Sequence, residues 1–318
     1  MQSDLARYAQ KFTKLRVDRS RGIAPHKPIL LLSIMELIEQ GKIQRNQVYL
    51  SPELIATFLK YWTHFGSENH RSDIALPFFH LQGDKFWHLM PNPGFEATVA
   101  SKSRLKGLNT LRNVVKYAYF DEALFELLTD RASRQELIGI LINAWFQDKE
   151  QQVSELLRYD EFEEVQLKLF DRGGAVYSVE DLKDEQRTFV RNAAFRRIVV
   201  SLYEQQCAFC HLKIVSDNNQ NIVDGAHILP FAEFRDDQFD NGLSLCKNHH
   251  WAFDHGWFSI SDDYRILVAH ERFHEEASEN MRLMQDFNGE NILLPSQVAY
   301  RPRLSALQWH RRFWRVAV

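Results

Sequence analysis

Residues 207–255 read CAFCHLKIVSDNNQNIVDGAHILPFAEFRDDQFDNGLSLCKNHHWAFDH, and the spacing of four residues in this stretch sets the frame for the rest. Cys207 and Cys210 are separated by two residues, and about 35 residues later Cys246 and His249 repeat that spacing. Two such knuckles offer three thiolates and one imidazole, the donor set of a tetrahedral structural zinc site. The chain has 3 cysteines, all within this set. An odd number of thiols cannot all pair as disulfides, and in a reducing compartment the spacing suits a metal better. The bland reading, two incidental thiols and one buried apolar cysteine, leaves the repeated spacing unexplained.

Between the knuckles lie Asp224-Gly225-Ala226-His227-Ile228-Leu229-Pro230 and then Asn241-Gly242-Leu243, and directly after them comes His250-Trp251-Ala252-Phe253-Asp254. If His250 starts a helix, Asp254 lies one turn later on the same face, where two side chains can hold one cation. A divalent ion there would stabilise a departing oxygen while His227, on an opposing strand, deprotonates a water. Phosphodiester hydrolysis needs both. Taken singly, His227 reads as a core histidine and Asn241-Gly242 as an ordinary turn. Their order between two knuckles is what points to catalysis.

The span from Cys207 to Asp254 resembles the HNH endonucleases. The resemblance implies a ββα-metal fold in which His227 is the general base and Asn241 holds the loop and orients that base. It further implies that His250 and Asp254 bind a catalytic Mg²⁺ or Mn²⁺, with Cys207, Cys210, Cys246 and His249 around a structural Zn²⁺. Many of these enzymes carry a metal-binding Asp or His immediately before the base, where this chain has Ala226. Asp224 is the substitute ligand, although on a regular strand it points to the face opposite His227. Ala-His-Ile-x-Pro with Asn-Gly-Leu and Phe-Asp downstream is similar to an HNH subclass of restriction-type proteins.

Upstream, apolar residues recur at helical spacing over residues 5–15, 28–39 and 52–65, the last two opened by proline. Two aromatic-rich runs, 76–81 and 85–89, flank Gln82-Gly83-Asp84 and read as a β-hairpin. Helical patterns over 122–128 and 134–146 complete a first domain of residues 1–150. Acidic residues crowd the stretch from Asp148 to Glu185, so 151–189 reads as an acidic linker containing Gly173-Gly174. A helix over 187–203 leads into a second domain of residues 190–318. The fold class is therefore α+β: a mixed α/β recognition domain followed by a zinc-stapled ββα nuclease domain.

The chain of 318 residues is 45% hydrophobic and 25% charged, the composition of an ordinary globular protein. Its longest apolar stretch, residues 29–35, falls far short of the roughly 20 residues that span a bilayer, and no leader pattern opens the sequence. A cytoplasmic protein without a membrane partner is expected. The net charge of −3 hides local polarity. Residues 7–27 carry seven Lys or Arg against one acid, and the tail from Arg301 carries five Arg and no acid, so both ends could face phosphates.

In the first domain, Arg21, His26 and Lys27 precede an apolar helix, whose N-terminal N–H groups favour anions. Arg71 stands before Pro77, Phe78 and His80, joining a cation to aromatic surface. An aromatic core accounts for that second cluster equally simply. Pro-His-Lys-Pro before a Leu-rich helix and Pro-Phe-Phe-His-Leu before a Trp-containing strand are, however, similar to the sulfur-binding domains of phosphorothioate-dependent restriction endonucleases, over roughly residues 10–100. That resemblance implies a shallow apolar pocket for the sulfur that replaces a phosphate oxygen, with His26, Lys27, Arg71, Pro77, Phe78 and His80 around it. Sulfur is larger, more polarisable and less strongly hydrated than oxygen, so proline and aromatic faces can prefer it.

The resulting expectation is a modification-dependent restriction enzyme acting on double-stranded DNA. Because one HNH site nicks one strand, a homodimer is attractive. Two alternatives stay open: an HNH nuclease that reads unmodified or methylated DNA, and a non-catalytic DNA-binding module with the zinc-stapled part as scaffold.

Overall fold

The computed structural model describes residues 2–316 except 102–104, 106, 148–149, 158, 217–219, 277 and 279. Asp148 and Lys149, where the sequence reading ends the first domain, lie outside the described residues. Contacts divide the chain into one unit of Met1–Glu164 with Asp184–Val190 and another of Val165–Lys183 with Arg191–Val318. No helix among the described residues is long and apolar enough to cross a membrane.

In the first unit the helices are α1 (Gln2–Thr13), α2 (His26–Glu39), α3 (Pro52–Phe65), α4 (Ala75–His80), α5 (Glu96–Ala100), α6 (Leu108–Val114), α7 (Glu122–Thr129), α8 (Arg131–Trp145), α9 (Glu150–Leu156) and α10 (Glu161–Asp171), which runs on past Glu164. Helix α2 is apolar nearly all round, and every residue from His26 to Ile38 is buried. It is therefore the central helix, packed by α3, α4, α7 and α8. Its one buried acid, Glu36, pairs with Lys60 of α3 at 2.7 Å, both side chains 1% exposed. Lys60 also donates to the carbonyls of Leu156 and Tyr159, so its remaining donors are satisfied where unpaired charge would be costly.

The hairpin expected around Gln82-Gly83-Asp84 does not form. Ala75–His80 is a short helix followed by a 3₁₀ turn at Leu81–Asp84, and Ala75, Phe78 and Phe79 are buried at helical rather than alternating spacing. The strand after it, β1 (Trp87–Pro91), pairs antiparallel with the distant β2 (Val115–Phe120), Trp87 opposite Phe120. Trp87 secures the corner by donating its indole N–H to the Phe78 carbonyl at 2.8 Å.

The second unit is built on α11 (Glu185–Leu202), whose first residues belong to the first unit. An antiparallel pair, β3 (Val223–His227) and β4 (Gly242–Cys246), lies against it with His227 opposite Gly242. A Cβ on Gly225 would meet the Arg196 backbone at 2.8 Å, and one on Gly242 would meet Val199 at 2.5 Å, so the two glycines let the ribbon approach the helix. Between the strands lies the short α12 (Phe231–Phe234); α13 (Lys247–Asp254) follows β4 directly. The pair β5 (Phe258–Ile260) and β6 (Ile266–Val268) and the terminal α14 (Leu304–Trp314) complete the unit, with α14 packed on β5.

Residues 165–183, part of the stretch read as a linker, are built into this unit. Phe170 stacks on Phe239 at 6.0 Å, and Gly174, at φ +101°, passes so close that a Cβ would lie 2.3 Å from the Asp237 carbonyl oxygen. Only glycine fits there.

Candidate active site and DNA-recognition cavity

The donor atoms of Cys207, Cys210, Cys246 and His249 all lie within 4.8 Å of one another. Cys207 Sγ is 3.7 Å and Cys246 Sγ 3.1 Å from His249 Nδ1. Ligands about 2.0–2.3 Å from a tetrahedral zinc sit about 3.4–3.8 Å apart, so the cluster fits the ion that its chemistry suggests. Hydrogen bonds from Cys207 and Cys210 hold the Cys246 thiol well below its usual range, toward the thiolate a metal takes. Phe209 stacks on the His249 ring at 4.0 Å and fixes its plane.

His227 ends β3, the position from which a side chain leaves the sheet toward the loop. Its ring lies flat on Phe195 of α11, centroids 4.2 Å apart and planes within 8°. Its Nε2–H donates to Asp237 Oδ1 at 2.8 Å. The other Asp237 oxygen, Oδ2, is 3.3 Å from Arg191 Nε, and the Asp237 side chain is 0% exposed. Arg191 in turn lies under the Tyr177 ring at 3.8 Å. Backbone bonds from Asp237 to Ala175 (2.8 Å) and from Tyr177 to Arg235 (2.9 Å) lock this loop to the segment around Gly174.

Asn241 is fully buried and bonds to backbone. Its Oδ1 accepts from the Leu229 N–H at 2.8 Å, and its Nδ2 donates to the carbonyls of Leu229 and Asp236 at 3.3 and 3.0 Å. It thus holds the loop, while the group that touches His227 is Asp237, which the sequence reading did not single out. The only available signal was the doublet Asp236-Asp237 just before Asn241.

Helix α13 starts at Lys247, three residues earlier than the expectation, and carries both His250 and Asp254. His250 Nε2 lies 3.5 Å from Asp254 Oδ2, and its Nδ1 lies 3.8 Å from Asp224 Oδ2. Asp224 therefore reaches the helix histidine from the strand face it shares with the buried Ala226, opposite to that of His227. Its carboxylate is also met by Arg196 at 3.1 Å and Lys247 at 3.2 Å. Burial lowers the His250 pKa and keeps the ring neutral, as a metal ligand must be. Burial raises the Asp254 pKa, against the guanidinium charge of Arg196 nearby. One imidazole with two carboxylates is a donor set that Mg²⁺ or Mn²⁺ accepts. Each carboxylate faces its own ring nitrogen, so the three do not converge on one point.

In the first unit, a cavity of about 540 Å³ is lined by Arg16, Val17, Asp18, Ala24, His26, Lys27, His70, Leu76, Pro77, His80 and Gly83. Of the residues expected from sequence, His26, Lys27, Pro77 and His80 meet there. Phe78 is 0% exposed, edge-on to Trp87 at 5.3 Å, so it is core rather than surface. Lys27 spends its ammonium on Asp84 at 2.6 Å, both side chains under 10% exposed, so it is no free phosphate contact. Arg71 contributes its carbonyl, which accepts from His26 Nε2–H at 2.9 Å. Arg21 is exposed outside the lining. Burial holds the His26 pKa down. Arg16, His70 and Leu76, which the sequence reading left outside the pocket, are brought into it by the folded loops. A neighbouring cavity of about 330 Å³, lined by Gln10, Lys11, Lys14, Arg16, Gly83, Asp84 and Lys85, shares Arg16 and adds three cations.

Residues 5–160 match the family of ScoMcrA-like DNA sulfur-binding domains, and residues 207–261 match the HNH endonuclease family. Among solved structures, a modification-dependent TagI restriction endonuclease is similar at 25% identity, over 39% of this chain and 38% of that one, with a TM-score of 0.29. The alignment thus spans less than half the length of that relative. No curated protein matches the chain. The chain carries a DNA-recognition domain and a nuclease domain of the HNH class. More narrowly, its recognition domain is of the DNA sulfur-binding kind.

Proposed function

We propose that the protein is a restriction endonuclease that recognises phosphorothioate-modified double-stranded DNA through residues 1–150 and hydrolyses its phosphodiester bonds through residues 190–318. The observation that carries the reading is the junction, in one chain, of a sulfur-binding domain with a strand histidine and a helix histidine framed by a Cys₃His cluster.

At the recognition cavity, Leu76, Pro77 and the His26 ring give the sulfur an apolar, polarisable contact. Arg16 and His80, with Lys11, Lys14 and Lys85 next door, hold the flanking phosphates. In the nuclease domain His227 takes a proton from the attacking water through Nδ1, which has no hydrogen-bond partner among the described residues. His250 and Asp254 are the residues that would hold the divalent ion, with Asp224 at the other ring nitrogen orienting the imidazole. When bound, that ion supplies charge stabilisation for the phosphate and the leaving oxygen. Arg196 and Lys247, both on Asp224, add positive charge at the same edge. A second copy of the chain would serve the second strand. A reducing cytoplasm is the setting in which the three thiols stay available to zinc.

The test is cleavage of two otherwise identical duplexes, one bearing a phosphorothioate linkage, in Mg²⁺ or Mn²⁺ with a chelator control. Cutting confined to the sulfur-bearing duplex, and abolished in His227→Ala with binding retained, is expected. Equal cutting of both duplexes removes the sulfur specificity and favours a reader of unmodified DNA. Binding without metal-dependent cutting removes the nuclease.

A further inference from the structure

We infer that Asp237 is the positioning residue of the nuclease: it fixes the tautomer of His227 and so decides which ring nitrogen serves as the base. The inference rests on His227 being that base.

Asp237 is 0% exposed, and its carboxylate, which can only accept, faces Arg191 Nε and His227 Nε2. Arg191 is a guanidinium, a donor at every nitrogen and charged throughout the accessible pH range. His227 presents Nε2 at 2.8 Å. A carboxylate facing both makes Nε2 the protonated nitrogen, leaving the Nδ1 lone pair for the water. When Nδ1 takes the water's proton, the positive charge that forms on the ring is balanced by the carboxylate already in contact with it. Arg191 sets a guanidinium charge beside the Asp237 carboxylate in a buried place where a lone carboxylate would be costly.

Two aromatic rings confine the imidazole. Phe195 covers one face at 4.2 Å and Phe231 stands 5.4 Å away at 45°. Asp237 itself is placed from outside the HNH motif. The Ala175 carbonyl receives its N–H, Gly174 passes against its carbonyl, and Arg303 grips the preceding Asp236 and Asp240. Asn241 bonds to none of these groups on the ring, so loop support and base orientation are divided between two residues.

The decisive variant is Asp237→Asn, equal in shape but with one acceptor and one donor. Arg191 can face only the amide oxygen, so the amide N–H₂ must point to His227 Nε2 and donate to its lone pair. The proton then moves to Nδ1, and the base is blocked. ¹⁵N-histidine NMR of the full chain, with the His227 signal assigned by its loss in His227→Ala, should show the Nε2–H form in the native protein and the Nδ1–H form in Asp237→Asn. With wild-type zinc content and DNA binding, cleavage kcat should fall by roughly 10² to 10⁴ with KM little changed, the range between loss of an orienting partner and a base held in the wrong tautomer.

An Nδ1–H signal in the native protein overturns the inference without any variant, which covers the case that Asp237→Asn fails to fold. An unchanged tautomer in a folded Asp237→Asn, or an effect on KM alone, overturns it as well. If the native chain cuts no DNA, the function proposed above fails, and the tautomer measurement shows separately whether Asp237 sets the ring.

Discussion

Asn241 and His227 stand within one loop and carry different burdens. The Asn241 amide meets three buried backbone groups of Leu229 and Asp236. Truncating it strands those groups without water, which costs about 1–3 kcal/mol for each group left unmade, partly relieved by relaxation. Asn241→Ala should therefore lower the stability of the nuclease domain by roughly 2–4 kcal/mol, and urea unfolding followed by zinc release would read it. His227→Ala strands one such group, Asp237 Oδ1, and should cost about 1–3 kcal/mol, less than Asn241→Ala. If Asn241→Ala proves as stable as the native protein, its assignment as the loop's anchor is wrong. The pattern of residue types announced a role for Asn241, but Asp237 stayed hidden because its partners are set by folding. A carboxylate in a run of acids reads as solvated surface until it is seen to be buried.

At the scale of elements, the terminal helix α14 shows why a count of charges misleads. Of the tail arginines expected to face phosphate, Arg303 is engaged by Asp236 and Asp240, and Arg311 by Asp262 and the Ile260 carbonyl. They hold the protein together. On the same helix His310 is 2% exposed, accepts from Ser259 Oγ–H at 2.8 Å and donates to the Phe253 carbonyl at 3.1 Å, while its ring stacks on Phe253 at 3.8 Å. Burial pushes its pKa down to about 4. The unfolded chain takes up this proton near pH 6.5, whereas the folded chain refuses it until about pH 4. The stability from neutral His310 is complete above about 6.5 and is lost as pH falls through that window, up to roughly 3 kcal/mol. Urea midpoints of the nuclease domain should thus fall between pH 7 and 5, and His310→Gln should flatten the fall. An equal slope in the variant would remove His310 as the cause. The expected hairpin near Gly83 failed at this scale too. Aromatic runs bounded by a turn signal fit a hairpin and a helix–turn–strand alike, and the buried spacing of Ala75, Phe78 and Phe79 chose the latter.

For the whole molecule, the four zinc donors come from two segments of the second unit, one before β3 and one at the start of α13. Structural zinc in such sites contributes folding free energy directly, on the order of 10 kcal/mol in small domains. Cys207→Ser, or removal of zinc by a strong chelator, should therefore unfold the second unit and abolish cutting while leaving the first unit folded and binding DNA. Calorimetry would show one transition lost and the other unmoved. Loss of both together would mean that the units do not fold separately.

The sequence by itself determined what is local. The two knuckles, the order of His227, Asn241 and His250, and the helices at Pro52–Phe65 and Glu122–Thr129 all follow from spacing along the chain, which covalent geometry and side-chain period translate directly into place. Only the tertiary structure decided which carboxylate meets His227, that Lys27 is consumed by Asp84, that Phe78 is core, and that Gly174 belongs beside Asp237. Each of those depends on burial and on partners from other segments. A charged or aromatic side chain looks the same in sequence whether water or another residue satisfies it, and packing makes that choice.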